Sequence, residues 1–488
     1  MKRILALICS FTLLFAFSAC GTGTHTEKDD GVIVENNGDK IYAENAYADG
    51  SDSAKTPQRL KISFTEAGFG RKWLIDISKA FVRKNPEYMI VLDGDPALTS
   101  SMATKLESGK NLSDIFMPLN SAWENYAYQG WLEPLDDVYA EKPDGETGKT
   151  NEEKMDDVYR EYSSLSTKEG THYYIMPWND TVTGIVYNVK MFEKYGWEIP
   201  ETTDELETLC KKILSDTEGG VKPFAYPGKI GGYFDYIGST WWMQSSGTDG
   251  VKEFFEFSSS EVYNASSQPA LGKKQALEEF LKFFSLEKGY SVTGSMSKDH
   301  ITSQMDFVNG KAAMIINANW LECEMQTSMP EGFTMGMMSV PYLSTAKKDG
   351  DGNYIKVNYT APPDYIVIPK KADNVEGAKA FLTFMNSDEM LKLYTAETGS
   401  PRPFSYDLDS MENLSKFVGD ILTLRKESDS YFDFSRSPVY MNGYAQKYIG
   451  GQPYAALIRG EITPQRFCNV EYVEADEKWD TWLSSSAQ

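Results

Sequence analysis

The chain has 488 residues, enough for about two to four domains of ordinary size. Hydrophobic residues at 41% and charged residues at 24% match a globular mixture, which excludes wholesale disorder and a multi-span membrane protein. The balance of 48 basic against 71 acidic residues, a formal charge of −23, argues against a nucleic-acid partner, whose phosphates need a basic footprint.

In chain order, Lys2 and Arg3 precede an apolar stretch, Ile4 to Phe17, too short to span a bilayer comfortably, and Phe17-Ser18-Ala19-Cys20 closes it with small residues before a cysteine. This resembles the lipobox of bacterial lipoproteins. The resemblance implies that residues 1–19 are a signal peptide, that Cys20 carries lipid, and that the lipid is the only membrane attachment. Residues 20–58 are rich in Gly, Asp, Glu, Asn, Ser and Thr, with Val32 to Val34 as a short apolar interruption, and read as a solvated tether.

Beyond it, strands and helices alternate. Arg59 to Phe64 reads as a strand, and Lys72 to Arg83 as a helix, with Trp73, Ile77, Ala80 and Phe81 on one face and Pro86 as its stop. Tyr88 to Leu92 is a second strand, Thr99 to Glu107 a helix closed by Gly109, and Asp114 to Met117 a third strand. Such a βαβαβ unit gives a parallel sheet with ligands outside the carboxyl ends of its strands. That rule singles out the loops Thr65 to Arg71 and Pro118 to Trp123. Further strands are expected at Gly184 to Tyr187, Ala312 to Ile316 and Tyr365 to Ile368, with helices starting at Pro200 to Leu206 and spanning Ala276 to Leu286 and Asn374 to Asn386. Separated strand groups, each with its own helices, predict two α/β lobes.

Chemistry-bearing motifs are sparse. There is no nucleophile elbow and no P-loop, and Gly68-Phe69-Gly70 lacks the third glycine of a dinucleotide fingerprint. Asp349-Gly350-Asp351-Gly352-Asn353 mimics the opening of a calcium loop, but Tyr354 and Thr360 stand where Gly and Glu are needed, so it reads as a polar hairpin turn. Cys210, Cys323 and Cys468 are widely spaced, as are His25, His172 and His300; buried, inert thiols are expected, with no metal and no cofactor.

Several short motifs recur in a recognisable order: Ser108-Gly109 with Asp114-Ile115-Phe116, Gly130-Trp131-Leu132-Glu133-Pro134-Leu135-Asp136, Ile175-Met176-Pro177, and Gly184-Ile185-Val186-Tyr187-Asn188. Phe307-Val308-Asn309-Gly310-Lys311-Ala312-Ala313-Met314 leading to Trp320, and Gly399-Ser400-Pro401, complete the series. Together they resemble the sugar-binding proteins of bacterial ABC importers, the group typified by maltose-binding protein. The resemblance implies an α/β, two-lobe periplasmic-binding-protein-like fold with interlobe crossing strands. It places lobe one at 59–180 with 366–428, lobe two at 187–358 with 429–488, and hinge segments at 181–186 and 359–365. A third crossing is expected around Leu424 to Asp433.

The implied function is capture of a carbohydrate, an oligosaccharide, in the interlobe cleft and its delivery to ABC permease subunits with a separate ATPase, by a lipid-anchored extracytoplasmic monomer without enzymatic activity. Two alternatives stay open: a surface-attached carbohydrate-active hydrolase, and the same fold holding a non-sugar solute such as a polyamine. A sugar site needs flat aromatic platforms with paired donors and acceptors. Trp320, at the carboxyl end of a strand and matching the family's stacking tryptophan, is the leading candidate. Trp178, Asn179 and Asp180 stand at the mouth of the first crossing. Phe69, Asn120, Ser121 and Trp123 come from the two strand-end loops. Tyr233 with Trp241 or Trp242, which cannot both face the cleft, would present a ring from lobe two, and Asp364 and Arg402 are further polar candidates.

Overall fold

The structure, a computed structural model, describes residues 26–29, 31–35, 39–43, 57–66, 68–119, 123–256, 259–263, 266–436, 454–468 and 481. Residues 1–19, where a signal peptide is expected, and Cys20, Asn120 and Ser121 lie outside the described residues.

Sixteen strands occur among the described residues: β1 Thr26–Asp29, β2 Val32–Glu35, β3 Lys40–Ala43, β4 Gln58–Phe64, β5 Tyr88–Gly94, β6 Ile115–Met117, β7 Ser164–Thr167, β8 Gly170–Tyr173, β9 Met176–Pro177, β10 Thr183–Asn188, β11 Lys222–Ala225, β12 Ala312–Ala318, β13 Met335–Met338, β14 Val357–Tyr359, β15 Tyr365–Ile366 and β16 Asp429–Tyr431.

Lobe one is built on a sheet of order β1-β2-β3-β5-β4-β6. The expected βαβαβ unit forms the half of it opposite β1, since β4 pairs in parallel with both β5 and β6. Helix Lys72–Lys84 buries Trp73, Leu74, Ile77, Phe81 and Val82, and helix Leu98–Ser108 ends at Gly109 with φ 62°, the left-handed conformation glycine adopts without strain. Past β6 the layer continues through Val367, which bridges Phe116, and β15, which pairs antiparallel with β9.

Three corrections concern the chain's path. The tether expected at residues 20–58 contains β1, β2 and β3, an antiparallel set that extends the lobe-one sheet through β3 and β5. Val32, Val34 and Ile41 are buried there, and Arg71 forms an ion pair with Asp39. The polar composition hid these short strands, which flank Gly31 with its φ of 80°. Secondly, helix Lys416–Glu427 packs in lobe two, burying Phe417 and Ile421 against Met335 and Met337. Thirdly, Phe432 and Phe434 return to lobe one beside Tyr162, while Tyr454, Leu457 and Phe467 pack in lobe two. The sequence therefore crosses between lobes more often near its end than expected.

Lobe two carries the sheet β11-β12-β10-β13. Alternate residues of β10 belong to different apolar clusters: Ile185 and Tyr187 share one with buried residues of helices Thr203–Asp216, Gly232–Ser246 and Gln268–Phe284, while Val186 shares another with those of helices His300–Val308 and Lys416–Glu427. Thr202 caps its helix in a reciprocal box with Glu205, within the stretch Pro200 to Leu206 where a helix start is expected.

Where the lobes join, β14 and β16 run in parallel and β10 is tied to them. Asn358 Nδ2 donates to the Thr183 carbonyl at 2.7 Å, and Thr183 Oγ1 donates to the Tyr359 carbonyl at 2.6 Å. Arg425 closes the same junction: Nε reaches Asp180 at 2.5 Å and Nη2 reaches Asp156 at 2.5 Å, with Tyr159 donating to Asp180 at 2.5 Å.

Candidate functional site

Between the lobes lies a cavity of about 340 Å³ that ends on the crossing segments. Lobe one supplies Gly68, Phe69 and Leu119; lobe two supplies Tyr233, His300, Trp320 and Glu324; and the crossing segments supply Asn179, Thr181, Ala361, Pro362 and Asp364. Gly68, Phe69, Leu119, His300 and Glu324 also border a second, outer chamber of about 750 Å³, so the two are continuous. The outer chamber adds Glu66, Arg71, Lys72 and Glu397, a charged rim facing solvent.

Strand ends place these groups. Phe69 sits in the loop after β4, and Trp320 two residues after β12, as the carboxyl-end rule predicts. Phe69 and Trp320 meet edge to face across the cleft with ring centroids 6.5 Å apart, and Tyr233 meets Trp320 likewise at 6.4 Å. Three rings from two lobes thus offer apolar surface around one space. The lobes approach closely here: a Cβ on Gly68 would lie 2.9 Å from the Trp320 Cβ.

The polar groups are pre-positioned. Asp364 receives the Asn179 amide at 3.3 Å and returns its backbone N–H to Asn179 Oδ1 at 2.7 Å, so each holds the other. Glu324 accepts from the buried Gln304 amide at 2.7 Å through one oxygen, while the other lies 3.8 Å from His300 Nε2. Burial, reinforced by the nearby Glu324 charge, pushes the Tyr233 phenol above its ordinary range, so it remains a neutral hydroxyl.

Several sequence candidates are not on this wall. Trp178 is buried in lobe one, stacked on Trp73 at 5.1 Å and edge-on to Phe69 at 6.0 Å, so it backs the platform and does not form it. Asp180 is consumed by Arg425 and Tyr159. Trp123 is in the lobe-one core beside Tyr162, under the Arg436 guanidinium. Trp241 and Trp242 both face the lobe-two core, donating their indole N–H groups to the carbonyls of Pro341 and Pro269. Arg402 is fully buried and donates to the Met385 carbonyl at 2.8 Å; burial pushes its guanidinium down to about 10. It ties the segment after Pro401 to the Met385 and Pro177 carbonyls. Of the cysteines, Cys210 and Cys468 are buried, but Cys323 is half-buried and borders the outer chamber. Among the described residues no group of His, Cys, Asp and Glu could hold a metal ion.

The structure adds His300 and Glu324, which no motif marked. Glu324 had a signal: it lies four residues after Trp320 on helix Leu321–Met325, and its N–H bonds the Trp320 carbonyl at 2.9 Å, so the two share a helical face.

Two α/β lobes joined by crossing strands, with a ring-lined cavity between them, define a two-lobe solute-binding fold. The chain belongs to the bacterial extracellular solute-binding protein family, whose family model matches residues 67–392. It is 23% identical over 364 residues to an uncharacterized ABC transporter extracellular-binding protein of Pyrococcus horikoshii, covering 71% of this chain and 72% of the relative. Its fold is similar to apo RafE from Streptococcus pneumoniae, at 17% identity and a TM-score of 0.64 over 86% of this chain and 98% of RafE. It is also similar to the GacH receptor of Streptomyces glaucescens, at 16% identity and a TM-score of 0.65, with 86% and 98% covered. Among the described residues no helix is long and apolar enough to cross a membrane.

Proposed function

We propose that the protein captures a carbohydrate, an oligosaccharide, in the interlobe cavity and delivers it to the permease of an ABC importer driven by a separate ATPase. The observation that carries this reading is the convergence of Phe69 from lobe one with Tyr233 and Trp320 from lobe two on a cavity that also holds Asn179, Asp364 and Glu324. Sugar rings present C–H faces to aromatic platforms and hydroxyl rims to carboxylates and amides, and this cavity offers both. The continuous outer chamber suits a ligand of more than one ring. Structures of similar fold include RafE in complex with raffinose, GacH in complex with acarbose and a chitin oligosaccharide binding protein, which supports the same class of solute.

A ligand that touches both lobes favours the closed arrangement over the open one, because only differential affinity shifts such an equilibrium. Capture is therefore hinge closure, with the solute released unaltered. The lipid-directed start, Phe17-Ser18-Ala19-Cys20, supports anchoring of a monomeric body at the outer membrane surface where a permease sits. Screening the full chain on a glycan array, then titrating the hits by calorimetry, tests the reading. Saturable binding with the glycan recovered intact is expected, and Trp320→Ala should weaken it by about 2 kcal/mol, more than tenfold. Shortened glycan products would instead support a hydrolase.

A further inference from the structure

The outer chamber carries a cation whose orientation is set from outside the chamber. Arg71 lines that chamber from the loop after β4, with its side chain 37% exposed. Its guanidinium is fixed at one edge and one face: Nη2 donates to Asp39, and Cζ lies 5.4 Å from the centroid of the Phe64 ring, while Nε is buried. Nη1 stands 3.9 Å from Glu66, too far for a hydrogen bond, and donates to none of the described residues. One end of a rigid, planar donor fork is therefore left for a ligand in a chamber that faces solvent. The neighbouring Lys72 already reaches Glu397 at 2.6 Å and Asp76 at 2.7 Å.

Asp39 is itself built into lobe one. It stands in the turn before β3 at φ 37°, a left-handed value that aspartate tolerates better than most residues, and its carbonyl accepts the Leu92 N–H of β5 at 3.2 Å. Because β3 pairs with β5 and β5 with β4, the Asp39 turn and the loop after β4 ride on one sheet. Resting on the sugar-binding reading, we infer that Arg71 contacts the saccharide and that Asp39, from the N-terminal strands, is its positioning residue. Arg71 Nη1 donates to hydroxyl oxygens of the rings that extend into the outer chamber, beyond the ring enclosed by Phe69, Tyr233 and Trp320. Asp39 lines neither chamber. It acts by holding the fork in place, so that binding need not immobilise a long side chain. The strands whose composition reads as a tether thus contribute to selection of longer glycans.

The test titrates the tightest hit of the glycan array, and the same glycan shortened ring by ring, against the full chain in detergent by calorimetry. Arg71→Met is expected to weaken the full-length glycan at least about tenfold, the range of a hydrogen bond to a charged group, and the shortest form that still binds less than about twofold. Asp39→Asn should show the same dependence on length with a smaller loss, about three- to tenfold. Added to Arg71→Met, Asp39→Asn should cost no further affinity, because the two residues act as one unit. A merely structural Asp39 would weaken every length equally and add to the Arg71→Met loss. Thermal melting checks folding, and Arg71→Lys, which keeps the charge and loses the fork, should repeat the length dependence if either variant melts early. A loss equal at all lengths, additive losses, wild-type affinity for the full-length glycan in Arg71→Met, or affinity that does not rise beyond one ring overturns the inference and leaves the sugar reading standing. No saccharide bound at any length overturns both.

Discussion

The contact between Gly68 and Trp320 gives a perturbation that separates closure from folding. A Cβ built on Gly68 lies 2.9 Å from the Trp320 Cβ, 3.2 Å from Cγ and 3.3 Å from Cδ1. The nearest of these, Cβ, is fixed by the backbone, so no rotamer change moves it aside. Gly68 belongs to the loop after β4 in lobe one, and Trp320 to the end of β12 in lobe two. Gly68→Val therefore wedges the lobes at the cavity mouth, away from the hinge bonds of Thr183, Asn358 and Tyr359. Overpacking of this kind costs roughly 1–3 kcal/mol, and if that cost falls only on the closed state, affinity drops about 5- to 150-fold. Gly68→Ala places one methyl in the same gap and should cost less. Calorimetry with the identified glycan measures the loss, thermal melting checks that the unliganded fold is intact, and scattering reports whether compaction on binding is blunted. Wild-type affinity in Gly68→Val would refute the claim that this approach is part of the closed state.

Other predictions concern the frame of the site. Burial alone would raise Asp306, but Lys298 and Lys311 outweigh it and hold the carboxyl below its usual range. A depressed folded value gives stability that is present above the unfolded value and is lost as pH falls through the folded one, so Asp306→Asn should cost about 1–3 kcal/mol at pH 7 by denaturant titration, and the gap should narrow as pH falls below the ordinary carboxylate range. Arg425→Met leaves Asp156 and Asp180 without their shared cation at the lobe junction, and a loss of about 3–5 kcal/mol, read as a lower melting temperature, is expected. Saturating glycan should slow thiol labelling of Cys323, which borders the outer chamber, and leave the buried Cys210 and Cys468 unchanged.

Much of the fold was legible because its signals are local. The lobe-one helix over Lys72–Lys84, the Gly109 stop and the Thr202 cap each follow from a few neighbouring residues. Phe69 and Trp320 were legible for a related reason, since a strand's end is visible in sequence and ligands gather there. What failed was the choice of face. Along residues 178 to 181 the roles alternate, with Trp178 and Asp180 held inside the protein and Asn179 and Thr181 lining the cavity; a motif identifies the segment and not which side chains face the ligand space. Trp241 and Trp242 lie on helix Gly232–Ser246, which is buried on nearly all sides, so excluding one of the two from the cleft did not place the other there. His300 reaches the site from a helix start distant in sequence from every ring, and only tertiary packing brings it in.

A crystal structure of the complex with the tightest glycan is the most direct measurement of the central claim. It should show one intact saccharide in contact with Phe69 of lobe one and Trp320 of lobe two at once, with polar contacts to Asn179, Asp364 or Glu324. A saccharide bound outside this cavity, held by one lobe alone, or cleaved within it would contradict the account.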